Sequence, residues 1–237
     1  MRIIMSEESS PLMRLMQNEG FKPFSGPHAF RVLEKAKARL NLDKVEMNDL
    51  LLAVSSLGLL LETEMALIYS LQDQICTQCG NCCTENTSLR AQKQELKRIA
   101  EAKSISYKKL KKKIKARPKK NGTMTVSRRP CPFYEKGCSV YDIRPGVCRA
   151  YPTNKLLAAL AGGYNQYPEK CEIADDLLAE LVIKRALEEK MFRENPEVMK
   201  NIAEKKREEL NKMAGMNQTQ RLQFLVNRYQ KNLQRPE

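Results

Sequence analysis

The sequence predicts a mainly α-helical protein, with helical arms around a small, irregular, cysteine-rich metal-binding core that holds at most a short hairpin. Three observations predict it. Apolar residues recur at helical spacing on both sides of the middle of the chain. All eight cysteines of the 237-residue sequence fall between Cys76 and Cys171. Between them, Pro130, Pro132, Gly137, Pro145, Gly146 and Pro152 leave room for short elements only. The expected organisation is an N-terminal helical arm over 1–75, a cysteine domain over 76–175 with a basic helical insert at 89–129, and a C-terminal helical region over 176–237.

Taken in order, residues Met1 to Gly26 carry turn formers and little periodicity, and are expected to be a loose lead. Pro27 suits the first turn of a helix reaching Leu40, with Phe30, Leu33 and Leu40 on one face. A longer apolar helix is expected from Asn48 to Gln74, capped by Asn48 or Asp49, delivering the chain directly to Cys76. Ser88 can cap a helix over 89–102, and a second helix runs from about Ser106 to Lys115. Arg117-Pro118 stops that helix, Asn121-Gly122 makes a turn, and Thr123 to Ser127 has the β-branched content of a short strand. Leu156 to Ala161 reads as a small apolar helix or turn ended by Gly162-Gly163. From Glu172 the apolar stripe Leu177, Leu178, Leu181, Val182 and Leu187 predicts a helix to Asn195-Pro196. Polar helices over 197–213 and 218–233 complete the chain.

The longest apolar stretch, Leu50 to Leu61, contains Ser55, Ser56 and Gly58 and falls short of the roughly 20 residues that a bilayer-crossing helix needs. No transmembrane segment or signal-peptide-like run is expected, and the protein reads as cytoplasmic. In a reducing compartment a cysteine cluster binds metal or does redox chemistry more often than it forms disulfides. The single histidine, His28, follows Gly26-Pro27 at a loop-to-helix boundary and is read as structural. Metal sites in this chain would therefore be all-cysteine or nearly so.

Cys76-Thr77-Gln78-Cys79-Gly80-Asn81-Cys82-Cys83 places four thiols in the pattern C-x2-C-x2-C-C. Two thiolates separated by two residues converge on one metal across a tight turn, a unit shared by zinc and iron–sulfur sites. Cys76, Cys79 and Cys82 are the expected ligands of one site. Adjacent side chains diverge along most backbone conformations, so Cys83 is expected to face a second. Cys131 and Cys138 read as a pair on a hairpin closed by Glu135-Lys136-Gly137, and with Cys148 and Cys171 they complete both sites. Eight thiols in two groups of four fit two 4Fe-4S clusters or, alternatively, two zinc ions; the grouping stays open. The repeated C-x2-C spacing and the Cys131-Pro132 ending favour iron–sulfur.

The run C-x2-C-G-x-C-C is followed by Cys131-Pro132-Phe133, Cys138-Ser139-Val140-Tyr141, Arg144-Pro145 and Cys148-Arg149-Ala150-Tyr151-Pro152, in that order. This series resembles the YkgJ-like CxxCxxCC cysteine-cluster family, described as zinc- or iron-chelating, over roughly Cys76 to Cys171. The resemblance implies a metal-binding domain and no one reaction. Flagellin lysine N-methylases resemble the same domain, and that association supplies an enzyme alternative. Arg144 and Arg149 would bring positive charge beside anionic thiolates. Tyr141 and Tyr151 would shield the site from water, and Asp142 would pair locally with an arginine.

The net charge of +14 is concentrated in one place. Between Leu89 and Arg129 stand eleven lysines and five arginines against Glu95 and Glu101, which equals the whole excess. Lys108, Lys109, Lys111, Lys112, Lys113, Lys115, Arg117, Lys119 and Lys120 form its densest part. Such a segment attracts a polyanion, either nucleic acid or an acidic surface. Tyr107 is the only aromatic there, which points to phosphate-backbone contact rather than base reading.

The function expected from these features is that of an iron–sulfur protein acting as an electron-transfer or structural accessory subunit of a larger assembly, with a protein partner on the helical arms. The alternatives are an iron–sulfur-dependent methyltransferase-like enzyme and a zinc-binding nucleic-acid-binding module. No glycine-rich cofactor loop follows a clear strand, and no other catalytic set stands out.

Overall fold

The computed structural model describes residues 23–40, 45–85, 89–127, 130–160, 166–213 and parts of 215–227. Expectations for the lead before residue 23, for Ser88 as a cap, for the Gly162-Gly163 stop and for the end of the 218–233 helix lie outside these residues. The protein is mainly helical with a small three-stranded antiparallel sheet. Its buried apolar side chains fall into two clusters, and the cysteines lie between them.

The larger cluster joins helices from before and after the cysteine block. Helix α1 (Pro27–Arg39) starts on its proline and buries Ala29, Val32 and Ala36. These small residues let α1 lie close against the long helix that follows Cys171, spanning Ala174–Glu194. Phe30 was expected on that face but is 64% exposed, because it stands one residue, about 100°, round from the Ala29 stripe. The flank of the α1 contact is an ion-pair ladder, with Arg31 on Asp175 (2.8 Å), Lys35 on Asp176 (2.8 Å) and Arg39 on Glu180 (2.7 Å). Exposed pairs of this kind contribute little each and serve mainly to set register. His28 stacks on Tyr167 (3.9 Å between ring centroids) and meets Glu169 at 2.9 Å, a structural role.

The single helix expected from Asn48 to Gln74 is broken. Helix α2 (Met47–Ser55) passes into a 3-10 turn at Ser56–Gly58, and α3 begins anew over Glu62–Ile75. Two serines turn back on the backbone, Ser55 Oγ donating to Leu51 O (2.5 Å) and Ser56 Oγ to Ala53 O (2.9 Å). That competition with the helix ladder, beside Gly58, releases the carbonyl of Leu59. Arg185, 1% exposed, fills the break. It donates to Glu64 (2.8 and 2.7 Å), Ser56 Oγ (2.8 Å) and Leu59 O (3.0 Å). Glu64 also accepts from the Leu61 N–H at 2.9 Å, capping α3. The cap of α2 is likewise displaced: Asp49 accepts from Glu46 N–H (3.2 Å), so the helix starts one residue before Asn48.

A short helix α4 (Asn81–Glu85), which carries Cys82 and Cys83, leads to the smaller cluster. The helix expected over 89–102 is preceded by strand β1 (Leu89–Gln92) and starts only at α5 (Lys93–Ala102). Strand pairing decides this: β1 pairs with β3 (Thr123–Val126), a partner too distant in sequence to be seen locally. Helix α6 (Tyr107–Lys113) is capped by Ser106, whose Oγ accepts from Lys109 N–H (3.2 Å). Strand β2 (Arg117–Pro118) completes the order β1-β3-β2. Leu96, Ile99, Leu110 and Ile114 cover Met124 and Val126 on one face of the sheet. Phe133 and Val140 join the same cluster, so the cysteine-bearing loops after Pro130 are anchored in apolar packing that the sequence did not reveal.

The chain then makes α7 (Gly146–Arg149) and α8 (Thr153–Leu160), followed by α9 (Ala174–Glu194) and α10 (Pro196–Asn211). Helix α8 packs into the larger cluster. Among the described residues no single helix is long and apolar enough to cross a membrane.

Candidate metal centre

All eight thiols are free and all eight line one cavity of about 370 Å³. Cys76 ends α3, and Cys171 precedes α9; both pack on the larger apolar cluster. Cys131 and Cys138 pack on the smaller one. The loop from Thr77 to Asn81 is fastened to the segment before α9, Asn81 Nδ2 donating to Lys170 O (2.8 Å) and Thr77 Oγ1 to Glu172 (3.0 Å). Cys131 N–H donates to Cys83 O (2.9 Å), tying the first cysteine run to the loops after Pro130.

Gly80 makes the first run possible. It adopts φ +81°, and a Cβ there would stand 2.2 Å from the Tyr134 ring. The ring can swing aside, but the left-handed backbone costs a substituted residue about 1–3 kcal/mol. Gly80→Ala is therefore expected to lower the thermal midpoint and the metal content together. Adding Tyr134→Ala should relieve only the steric part, as differential scanning calorimetry and metal analysis would show.

Cys82 and Cys83 do not diverge as expected: within α4 their sulfurs stand 4.0 Å apart. The Cys83 thiol faces Cys131, Cys138 and Cys82, and its single S–H can be donated to one of them at a time. Accepting that hydrogen bond brings Cys138 down to about 6 and Cys82 and Cys131 down to about 7. Cys83, as the donor, is held far above the ordinary thiol range. Burial pushes Cys148 and Cys171 up to about 12, and neighbouring thiols add to it. In Cys148 those neighbours are Cys131, Cys82 and Cys138; in Cys171 they are Cys79, Cys76 and Cys82. Two neighbourhoods follow, with Cys82 common to both.

The thiolate is the nucleophile, so these directions are testable on metal-free protein. At pH 7, which lies above the folded value of Cys138 and close to those of Cys82 and Cys131, all three should be alkylated readily by iodoacetamide. Cys148 and Cys171, protonated at that pH, should react only slowly. Lowering the pH through 6 should suppress Cys138 last. Peptide mapping by mass spectrometry reads this order; uniform labelling of all eight would contradict it.

Three of the cysteines share a turn that no single motif announces. The backbone N–H of Phe133 points at Cys131 sulfur, that of Val140 at Cys138 sulfur, and that of Ile173 at Cys171 sulfur. In each case the residue two positions after the cysteine is apolar and buried, at 3, 4 and 5% exposure. Packing of that side chain aims its amide at the thiolate, which such dipoles stabilise. The recurring Cys-x-apolar triplet was the available signal.

The other expected neighbours differ in placement. Arg144 is 8% exposed, lies 3.8 Å over the Tyr141 ring and is ion-paired with Asp73. Its charge helps to draw Cys82 and Cys138 down and offsets part of the rise at Cys148. Tyr141 reaches Cys76 through its hydroxyl and, with Tyr151, lines the cavity. Arg149 is exposed and turned away, donating to the backbone carbonyl of Asp142 (3.1 Å). Two residues on the last turn of α3 were missed by sequence reasoning. Asp73 holds Arg144, and buried Gln72 accepts from Thr153 N–H (3.2 Å) and Oγ1 (2.6 Å) while donating to Arg149 O. Lys108, Lys109, Lys112, Lys113, Lys115, Arg117, Lys119 and Lys120 are exposed and Lys111 half-buried; none lines the cavity.

Among the described residues no three Cys, His, Asp or Glu side chains converge closely enough to hold a single ion. The thiols instead surround an open volume. Soft sulfur donors in this number, with amides and a guanidinium directed at them, suit a thiophilic metal.

A mainly helical fold carrying such a constellation defines a metal-binding cysteine-cluster protein. Residues 75–173 match the model of the CxxCxxCC family, a "putative zinc- or iron-chelating domain", and this is the segment whose motifs pointed to that family. Comparison with curated proteins and with solved structures gave no match.

Proposed function

We propose that the chain holds iron–sulfur in two adjoining sites within the shared cavity and works as an electron-transfer or structural subunit of a larger assembly. The observation that carries this reading is the ring of eight thiols around about 370 Å³, far more room than two bare ions require. Cys76, Cys79, Cys82 and Cys171 would hold one site; Cys83, Cys131, Cys138 and Cys148 would hold the other. Cys82 stands where the two meet. Iron–sulfur bound there would supply one-electron chemistry at a potential tuned by hydrogen bonds and exposure. The chain's own contribution is to direct amides and Arg144 at the sulfurs, to buffer their charge, and to keep the two sites side by side.

Anaerobically purified protein should be brown, with iron and acid-labile sulfide in equal amounts and an electron paramagnetic resonance signal on reduction. Cys82→Ser should disturb both sites, whereas Cys171→Ser should leave about half of the iron in place. S-adenosylmethionine should leave the signal unchanged; a shifted signal would favour the methyltransferase-like alternative. A colourless protein containing only zinc would end the iron–sulfur reading. Zinc is the other metal that the donors accept: a tetrahedral Zn–S set at about 2.3 Å spaces its sulfurs about 3.8 Å apart, and the Cys82–Cys83 pair at 4.0 Å approaches that.

A further inference from the structure

The sheet of the smaller cluster has one face in apolar packing and one face turned away from it. Met124 and Val126 point into the cluster, so Thr123 and Thr125 point outward. Register fixes what stands beside them. Arg90 and Arg117 both lie directly opposite Thr125, one on each side. Gln92 lies opposite Thr123 on one side. On the other, Lys119 N–H donates to Thr123 O (2.8 Å). The outward face therefore presents Arg90, Arg117 and Lys119 on a polar ground. Arg90, Arg117 and Lys119 are all exposed, and among the described residues none makes an ion pair.

Three further facts point to an anion there. Thr125 is 8% exposed, and its Oγ1 has no hydrogen-bond partner. A buried hydroxyl without a partner is costly, and this one has an arginine directly across the ladder on each side, so that an oxyanion could engage all three residues. The two acids of the segment are elsewhere: Glu95 accepts from the amides of Gln92 (2.6 Å) and Gly146 (2.7 Å), and Glu101 belongs to α5 on the opposite layer. Finally, the two arginines put positive charge on both sides of one central residue, a local field that favours an anion between them.

We propose that this face is a phosphate-backbone site for nucleic acid, with Arg90, Thr125 and Arg117 holding one phosphodiester group and Lys119 and Lys120 continuing the track along the hairpin. Arginine forks match phosphate oxygens in pairs. The absence of aromatics on the face removes base stacking, so binding follows charge and not sequence. A lipid surface is a poorer fit, because an interfacial element needs apolar side chains to insert. None of the exposed large hydrophobics lies between residues 89 and 127.

The test uses the full-length, metal-loaded protein and a fluorescent, mixed-sequence single-stranded RNA, titrated by anisotropy between about 50 and 200 mM salt. Binding should weaken steeply as salt rises. Each phosphate neutralised on a single strand contributes about 0.7 to the slope of log affinity against log salt, so Arg90→Gln with Arg117→Gln, which together hold one phosphate, should flatten it by about 0.7. Thr125→Val keeps the side-chain shape and should weaken binding several-fold without lowering the thermal midpoint; a hydroxyl with no part in binding would change only the midpoint. Competition by inorganic phosphate in the same low-salt buffer should displace RNA weakly, through the same arginines. Unchanged slopes in the arginine variant, absent binding at the lowest salt, or equally tight binding to phosphatidylserine vesicles would overturn the proposal. So would a loss of slope confined to Lys108→Gln with Lys112→Gln, which would place the contact on α6 instead.

Discussion

Replacing Arg185 with methionine should lower the unfolding free energy by about 3–5 kcal/mol, the usual result of stranding one partner of a buried ion pair. Arg185 and Glu64 are both 1% exposed, and no water-facing rearrangement is open to Glu64 while it caps α3. For a chain of this length such a loss corresponds to roughly 6–20 °C in thermal midpoint. Restoring neutrality with Glu64→Gln, which keeps an acceptor for Leu61 N–H, should recover much of it. The sign of the pH dependence separates this from a packing defect. Burial pushes the Glu64 carboxyl up, but attraction and hydrogen bonding from Arg185 outweigh it and leave Glu64 below the ordinary range. That stabilisation is present above the unfolded carboxylate pKa and is lost as pH falls through the folded one. Without Arg185, burial, the largest influence, is opposed chiefly by the Leu61 hydrogen bond; the folded pKa rises, and the variant's deficit should shrink as the pH is lowered toward 5. A deficit independent of pH, measured by denaturant titration, would point to lost packing instead.

Metal removal should have the second large effect, and a local one. The larger apolar cluster is built from α1, α2, α3, α8 and α9 and stands on its own contacts. The smaller one has eleven buried members and meets the helical body mainly through the cysteine loops, the Arg144–Asp73 pair and the Glu95–Gly146 contact. Structural metal binding of the zinc type is worth about 10–16 kcal/mol. Even a third of that amounts to a thousandfold or so in local opening. Chelation under reducing conditions should therefore leave most of the helical circular dichroism intact. Amide protection should collapse over 76–85 and 130–150, as read by hydrogen exchange with mass spectrometry. Unchanged protection there, or loss of the helices in the same step, would contradict this division of labour.

Much of the fold was legible because its signals are local. Pro27 and Ser106 mark helix starts, Asn121-Gly122 marks the hairpin turn, and Asn195-Pro196 separates α9 from α10. What stayed hidden depends on partners far along the chain. The break between α2 and α3 is held open by Arg185, which no window around Ser56 contains. Strand β1 exists because β3 lies beside it. The same holds at the site: the thiols announce themselves, whereas Asp73 and Gln72 acquire meaning only when Arg144 and Thr153 arrive from some seventy to eighty residues away. The Cys-x-apolar turns were in plain view, but their sense depends on knowing that Phe133, Val140 and Ile173 are buried.

The placement of the thiols on two separate clusters also sets a clock. Cys171 follows Cys76 by 95 residues. At about 5–20 residues per second, the ribosome delivers the last donor some 5–20 s after the first. Through that interval the first run is complete as a sequence but incomplete as a chelate, and its Cys79 and Cys82 are exposed even in the finished fold. Whatever soft metal or oxidant meets the nascent chain meets those sulfurs first. Synthesis thus sets the order in which the donors become available, and only the folded protein presents all eight together.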